Sequence, residues 1–382
     1  MPYEIDLGMP PAGYVLKGAA REGEQATVQF MEFTSTEDGQ HFIKRLEGFP
    51  NTILEKLESQ KSFAPSQIDS ILAIIGKDGK ATVYVNELGQ TATVRVNEAI
   101  EKGQRVTKDH IVDVTGLELD VVLPADRGVL YLFSVGWRKG LFYDFGPIGG
   151  PNAQPRQYDL PTILGRAYCH VLFQERFSIS DDEWTSIFSS KWFPFAAMRN
   201  ETIEKLIASV RSGLTFDNHI EQVGMELKQR LPGFLSSWKQ NQSFADHILI
   251  LERAVTHFLA SDYLSCTGLL FPRIEGILRT YHTSSGVRPK PKPDNLTRTA
   301  VSSQIDNDQC LLLPRKFEQY LDVVYFADFN PKAASIDVSR HSVAHGVADA
   351  AHFNQKSAII GIMVVHQLFY FLERGKQAGQ QK

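Results

Sequence analysis

Residues 70–96, SILAIIGKDGKATVYVNELGQTATVRV, decide the first half of the fold. The stretch opens on the apolar run Ser70–Gly76, followed by Lys77-Asp78-Gly79-Lys80, a turn with Asp-Gly at its centre. Val83 and Val85 then alternate with polar or aromatic neighbours. A second turn at Glu87–Gln90 carries Gly89, and Ala92, Val94 and Val96 alternate after it. Period-two alternation joined by short Gly-bearing turns is the pattern of an antiparallel meander. Outward from it, Val129–Gly136 and Leu141–Phe145 form a second pair around Arg138-Lys139-Gly140, and His41–Ser59 has the pattern of a helix. Residues 1–150 are expected to form an α+β domain on a mostly antiparallel sheet.

The composition is that of a folded globular protein. The chain has 382 residues, 43% hydrophobic and 22% charged, which excludes a largely disordered chain and a collagen-like repeat. Forty basic against 44 acidic residues give a net charge of −4, far from the basic balance of a non-specific nucleic-acid binder. The three cysteines, Cys169, Cys266 and Cys310, have no CxxC spacing, so buried thiols in a reducing cytoplasm are expected. No signal peptide is expected at the N-terminus. Ala358–Leu372, AIIGIMVVHQLFYFL, is interrupted by His366 and Gln367 and falls short of the roughly 20 apolar residues of a span. It is expected to be a buried bundle helix, not a membrane segment.

Gly146–Gln157, GPIGGPNAQPRQ, is the best linker candidate. Its glycines fit neither GxGxxG nor GxxxxGK[ST], so no phosphate cradle and no nucleotide cofactor is expected from it. Beyond Asp159 the chain reads as helical, with segments expected at 159–176, 181–190, 200–213, 217–239, 242–260, 262–283, 314–328, 340–352 and 355–374. In the fifth of these, Ile248, Leu251, Val255, Phe258 and Leu259 share one stripe at helical spacing. Ser284–Ala300, with its alternating Lys-Pro, reads as an extended loop. Three regions result: 1–150 as the α+β domain, 151–240 as a helical connection, and 241–382 as an all-α bundle.

Four of the eleven histidines lie in the last 42 residues, two of them in Ser339-Arg340-His341-Ser342-Val343-Ala344-His345-Gly346. A helix over Arg340–His345 puts His341 and His345 on one face, with Arg340 in the first turn. Arg binds a phosphate through its planar fork, and imidazole transfers protons near neutral pH. These are the parts for metal-free cleavage of an RNA backbone.

RHSVAHG, Arg340–Gly346, resembles the signature of the HEPN superfamily (higher eukaryotes and prokaryotes nucleotide-binding domain). That pattern is an Arg, a polar residue, a few variable residues and a His, often with a Gly after it. Arg340, His341, His345 and Gly346 stand at those positions. Ser339 stands where many relatives carry Asn. Upstream, Ser261–Arg279 resembles an early helix of the family with its Pro-x-x-Glu-Gly, and Glu275 falls at the acidic position. The resemblance covers roughly residues 240–375 and does not reach the N-terminal 240. It implies a HEPN-like helical bundle that pairs as a homodimer around a composite site. The implied activity is a metal-independent endoribonuclease, often a toxin or an effector of antiviral defence. Arg340 would hold the scissile phosphate, His345 would be the general acid/base, His341 would assist, and Glu275, Ser339 and Gly346 would support the site. The N-terminal region would sense a trigger or a regulatory partner.

Two other readings compete. One is a non-catalytic HEPN module that binds nucleotides, RNA or proteins. The other is a metal-dependent hydrolase built on His341, His345, His352 and Asp349, although HExxH is absent. Arg288, Lys290, Lys292 and Arg298 are candidates for contacts to RNA phosphates. Trp137, Phe142, Tyr143 and Phe145 read as hairpin core rather than as a stacking platform for bases.

Overall fold

The computed structural model describes residues 2–8, 15–16, 21–25, 28–29, 31–36, 40–58, 68–149, 153–286, 290–305 and 309–379. The chain divides into two compact units, one of Met1–Val94 with Val114–Phe177, the other of Arg95–Asp113 with Ser178–Lys382.

The first unit is built on a six-stranded sheet. Its strands are β1 (Tyr3–Asp6), β4 (Met31–Ser35), β5 (Ser70–Ile75), β6 (Lys80–Val85), β9 (Gly128–Val135) and β10 (Arg138–Asp144), in the order β1-β6-β5-β9-β10-β4. Every pairing is antiparallel, and the short strands β2 (Val15–Leu16) and β3 (Val28–Gln29) pair separately. The Asp-Gly turn sets the β5–β6 register, with Ile71 opposite Val85, Ala73 opposite Val83 and Ile75 opposite Ala81. Alternation then sends Ile71, Ala73 and Ile75 to one face, against Phe42, Ile53 and Leu57 of α1 (Gln40–Glu58). Leu72, Val129, Tyr131 and Phe133 go to the other face, against Leu160, Leu164, Ala167 and Val171 of α2 (Leu160–Leu172). Helix α2 comes very close to β8 (Ile111–Leu119), where a Cβ on Gly165 would lie 2.5 Å from the Gly116 Cα. Both glycines are therefore fixed by that approach. Phe142, Tyr143 and Phe145 are buried in these cores, and only Trp137 of the four aromatics is exposed. Burial pushes the Tyr131 phenol well above its ordinary value.

The meander ends one strand earlier than its alternation predicts. β7 (Gln90–Val96) leaves the sheet and pairs with β8 in a separate two-stranded sheet. Asn86, in the left-handed region at φ 55°, turns the chain away after β6. The linker candidate folds onto the first unit. Pro147 and Ile148 are buried in a 3-10 turn, and Arg156 pairs with Asp144 at 2.8 Å. Residues 150–152 lie outside the described residues.

The short α3 (Gln174–Phe177) ends the first unit, and the second unit is helical. Its helices are α4 (Asp181–Ser189), α5 (Asn200–Arg211), α6 (Ile220–Gln240), α7 (Ile248–Leu259), α8 (Tyr263–Ser284), α9 (Pro293–Val301), α10 (Pro314–Tyr320), α11 (Arg340–Ala344) and α12 (Gln355–Gly379). One π-helical turn, Leu321–Tyr325, extends α10. α12 alone among the described helices is long and apolar enough to cross a membrane, and its apolar window is 83% buried inside the protein. It packs on α6 and α8 as a core helix, apolar on nearly every side. Two expectations fail here. Ser284–Ala300 is not wholly extended, because Pro293 starts α9 at its first turn and Leu296, Ala300 and Val301 are fully buried. The expected helix 340–352 is five residues long, because Gly346 at φ 69° ends it. The three cysteines are buried thiols, and burial pushes Cys266 up to about 12.

Candidate functional site

Helix α11 is short, and side chains and backbone define both of its ends. Ser339 is its N-cap, accepting from the Ser342 amide at 3.2 Å, while the Ser339 amide donates to Ser342 Oγ at 2.8 Å. Ser342 therefore fills the place that Glu or Gln takes in the usual capping box. At the other end the Gly346 amide donates to the Val343 carbonyl and the Val347 amide to the Ser342 carbonyl. That is a Schellman ending, with glycine at the left-handed position. Arg340 stands in the first turn. His341 follows, and His345 is the C-cap, one helical turn beyond His341.

Each motif residue has a distinct partner. Arg340 Nε is ion-paired with Glu275 Oε2. Glu275 lies on α8, is 5% exposed, and also pairs with Arg279 at 2.6 Å. Among the described residues no hydrogen bond engages the Arg340 Nη nitrogens, and the side chain is a quarter exposed. The His341 ring packs edge-on against Phe326, and its Nδ1 is 3.7 Å from Asp328 Oδ1. His345 is exposed, its ring 5.7 Å from that of Phe329. The buried Tyr325 hydroxyl donates to the Phe271 carbonyl beneath this group. Burial and the Glu275 charge hold that phenol far above its usual value.

The loop that carries α11 is closed by a clasp. Asp349 accepts from the Ser335 hydroxyl at 2.7 Å and from the Ile336 amide at 2.9 Å, and its own amide donates to the Ile336 carbonyl. The Ser335 and Ile336 hydrogen bonds hold the Asp349 carboxyl below its ordinary value. His352 braces the clasp, with Nε2 2.8 Å from Ser335 Oγ and Nδ1 3.6 Å from Asp337 Oδ1. The histidines thus go to three separate partners. Among the described residues no group of three His, Cys, Asp or Glu side chains is placed to hold a metal ion.

Beside α11 lies a cavity of about 340 Å³. Ser339 lines it, as do Asp328 and Phe329, the neighbours of His341 and His345. Lys191 enters from the end of α4, where it takes the left-handed conformation (φ 60°) that glycine usually fills. Its ammonium donates to the Val338 carbonyl at 3.0 Å and pairs with Asp337 at 2.6 Å. Burial lowers the Lys191 ammonium, and Asp337 opposes that shift. Burial alone would raise Asp337, but the Lys191 bond and charge hold it below its usual value.

The sequence therefore locates the motif and Glu275 but not Lys191, Asp328, Phe329 or Asp337. These come from three chain segments with no spacing in common. Of the candidate RNA contacts, Lys290 and Lys292 are exposed just before α9, and Arg298 is exposed on α9 and 3.5 Å from Glu318. Arg288 lies outside the described residues. No family model matches the chain, and neither a curated protein nor a solved structure does.

Proposed function

We propose that the chain is a metal-independent endoribonuclease with Arg340, His341 and His345 at its centre, a homodimer in which two copies of the motif form one site. The observation that carries this reading is the Glu275–Arg340 pair. Glu275 holds the guanidinium by Nε, and no other described residue takes up the paired Nη nitrogens. A guanidinium fixed in this way presents its fork to a phosphate. The half-buried His341 and the exposed His345, one turn apart, supply the acid and the base.

The chemistry is a transesterification. The ribose 2′-oxygen attacks phosphorus and gives its proton to one imidazole. The bond from phosphorus to the 5′-oxygen breaks, and that oxygen takes a proton from a second imidazolium. The products are a 2′,3′-cyclic phosphate and a 5′-hydroxyl. Arg340 stabilises the charge on the equatorial oxygens as they pass through the pentacoordinate arrangement. Glu275 acts through Arg340 as a positioning residue. A toxin or defence effector, triggered through the first unit, is the setting such an enzyme fits.

The test compares the wild type with His345→Ala on total cellular RNA in EDTA. The wild type is expected to cut and leave cyclic phosphate ends, with the variant slower by about 100-fold or more. Equal cutting by both proteins removes His345 from the mechanism, and cutting abolished by EDTA replaces it with metal chemistry.

A further inference from the structure

The cavity beside α11 is not used by the transesterification, and although no motif residue lines it, a neighbour of each one does. Ser339 precedes Arg340 in the chain, Asp328 lies 3.7 Å from His341, and the Phe329 ring lies 5.7 Å from that of His345. A ligand part seated there lies beside the helix that carries the motif. In RNA that part is the base of the nucleotide whose 2′-hydroxyl attacks.

The lining has a definite chemistry. Phe188, Phe329, Val323 and Val324 give apolar walls suited to the faces of a flat ring. Asp328 and Asp337 are the carboxylates, and Lys191 is the one lining cation, already paired with Asp337. Asp337 is taken up by Lys191, so the carboxylate left to accept from a ligand N–H is Asp328, whose side chain is almost wholly exposed. Adenine, cytosine and guanine each carry an exocyclic amine, whereas uracil has carbonyls on both sides of its N–H. The volume lies near the lower end of small-molecule sites, about 300 Å³, so it takes one ring system and little more.

We propose that this cavity is a base pocket, which receives an amine-bearing base next to the phosphate held by Arg340 and so selects where RNA is cut. The proposal rests on the nuclease reading for its role in cleavage, while base binding itself stands independently.

Two measurements on the full chain test it. The first uses four DNA oligonucleotides, each with a single ribonucleotide, so that the one 2′-hydroxyl fixes the cleavage position. At least one amine-bearing base is expected to be cut about tenfold faster than uridine. Ala333→Trp fills the cavity from an exposed lining position and should bring that rate down to the rate at uridine. Val323→Trp fills it from the π-helical turn and serves if the first variant melts early. The second measurement follows the binding of adenosine, cytidine, guanosine and uridine by saturation-transfer NMR. These nucleosides carry no phosphate, so they report on the pocket and not on Arg340. Binding of an amine-bearing nucleoside that is lost in the filled variant supports the pocket, even if no substrate is cut and the nuclease reading fails. Equal cutting of all four substrates, or a base preference that a folded, cavity-filled variant keeps, overturns it. If nothing is cut, absence of nucleoside binding overturns it as well.

Discussion

At the scale of single residues, the site depends on what a buried carboxylate does to one guanidinium. Glu275 is shared between Arg279 and Arg340 and lies almost wholly inside the protein. Glu275→Gln keeps the shape and removes the charge, leaving two guanidinium groups without their anion. Hydrogen bonds to charged groups contribute about 1.5–3 kcal/mol, and urea denaturation should show a loss in that range. Arg340→Lys separates charge from geometry. It retains the cation but loses the planar fork, so turnover on RNA should fall by about tenfold or more while the melting temperature changes little. An unchanged rate would show that only charge matters at this position. Arg340 and His345 were legible because the motif is one contiguous stretch, and Glu275, 65 residues away, because its own helix carries a separate resemblance. Lys191 and Asp337 were not, since 146 residues separate the two and only the fold makes them an ion pair.

At the scale of elements, short turns set what periodicity alone misses. The pattern after Arg340 reads as a continuing helix, but Gly346 ends it after five residues and makes His345 a terminus instead of a mid-helix residue. Gly346→Ala places a Cβ in the left-handed region, at a cost of about 1–2 kcal/mol measured by thermal unfolding. Nothing lies within 4 Å of that Cβ, so the penalty is conformational and not steric. α9 teaches the converse. Its entry, Lys-Pro-Lys-Pro, hides a buried face on which Leu296 and Ala300 stand one turn apart, both wholly buried. Leu296→Ala should therefore cost about 2–5 kcal/mol, the range of a core truncation and not of a loop substitution. The strands obeyed the same logic. β5, β6, β9 and β10 follow their alternation, whereas β7 alternates and yet leaves the sheet, since alternation does not name a partner.

At the scale of the whole molecule, the α12 core of the second unit carries its own pH dependence. His366 is 2% exposed, stacked between Phe234 and Phe369. Trp238 Nε1 donates to its Nδ1 at 3.2 Å, which leaves the proton on Nε2, and no described partner accepts from that nitrogen. Burial first, then the charges of Arg230 and Arg95, hold this imidazole well below its ordinary value. The sign follows from proton counting. Below about pH 6.5 the unfolded chain protonates His366 and the folded chain does not, so unfolding takes up a proton. The contribution is complete above that pH and is lost as pH falls toward the folded value, with a limiting slope of about 1.4 kcal/mol per pH unit. His366→Phe keeps the ring stack and removes the titration. It gives up the Trp238 hydrogen bond at every pH, so its stability should be lower near pH 7.5 yet fall less steeply between pH 6.5 and 5. The difference in slope between variant and wild type, read from urea midpoints by tryptophan fluorescence, isolates this one group from every other histidine. Parallel slopes would mean that His366 takes up its proton inside the folded core as readily as in the unfolded chain.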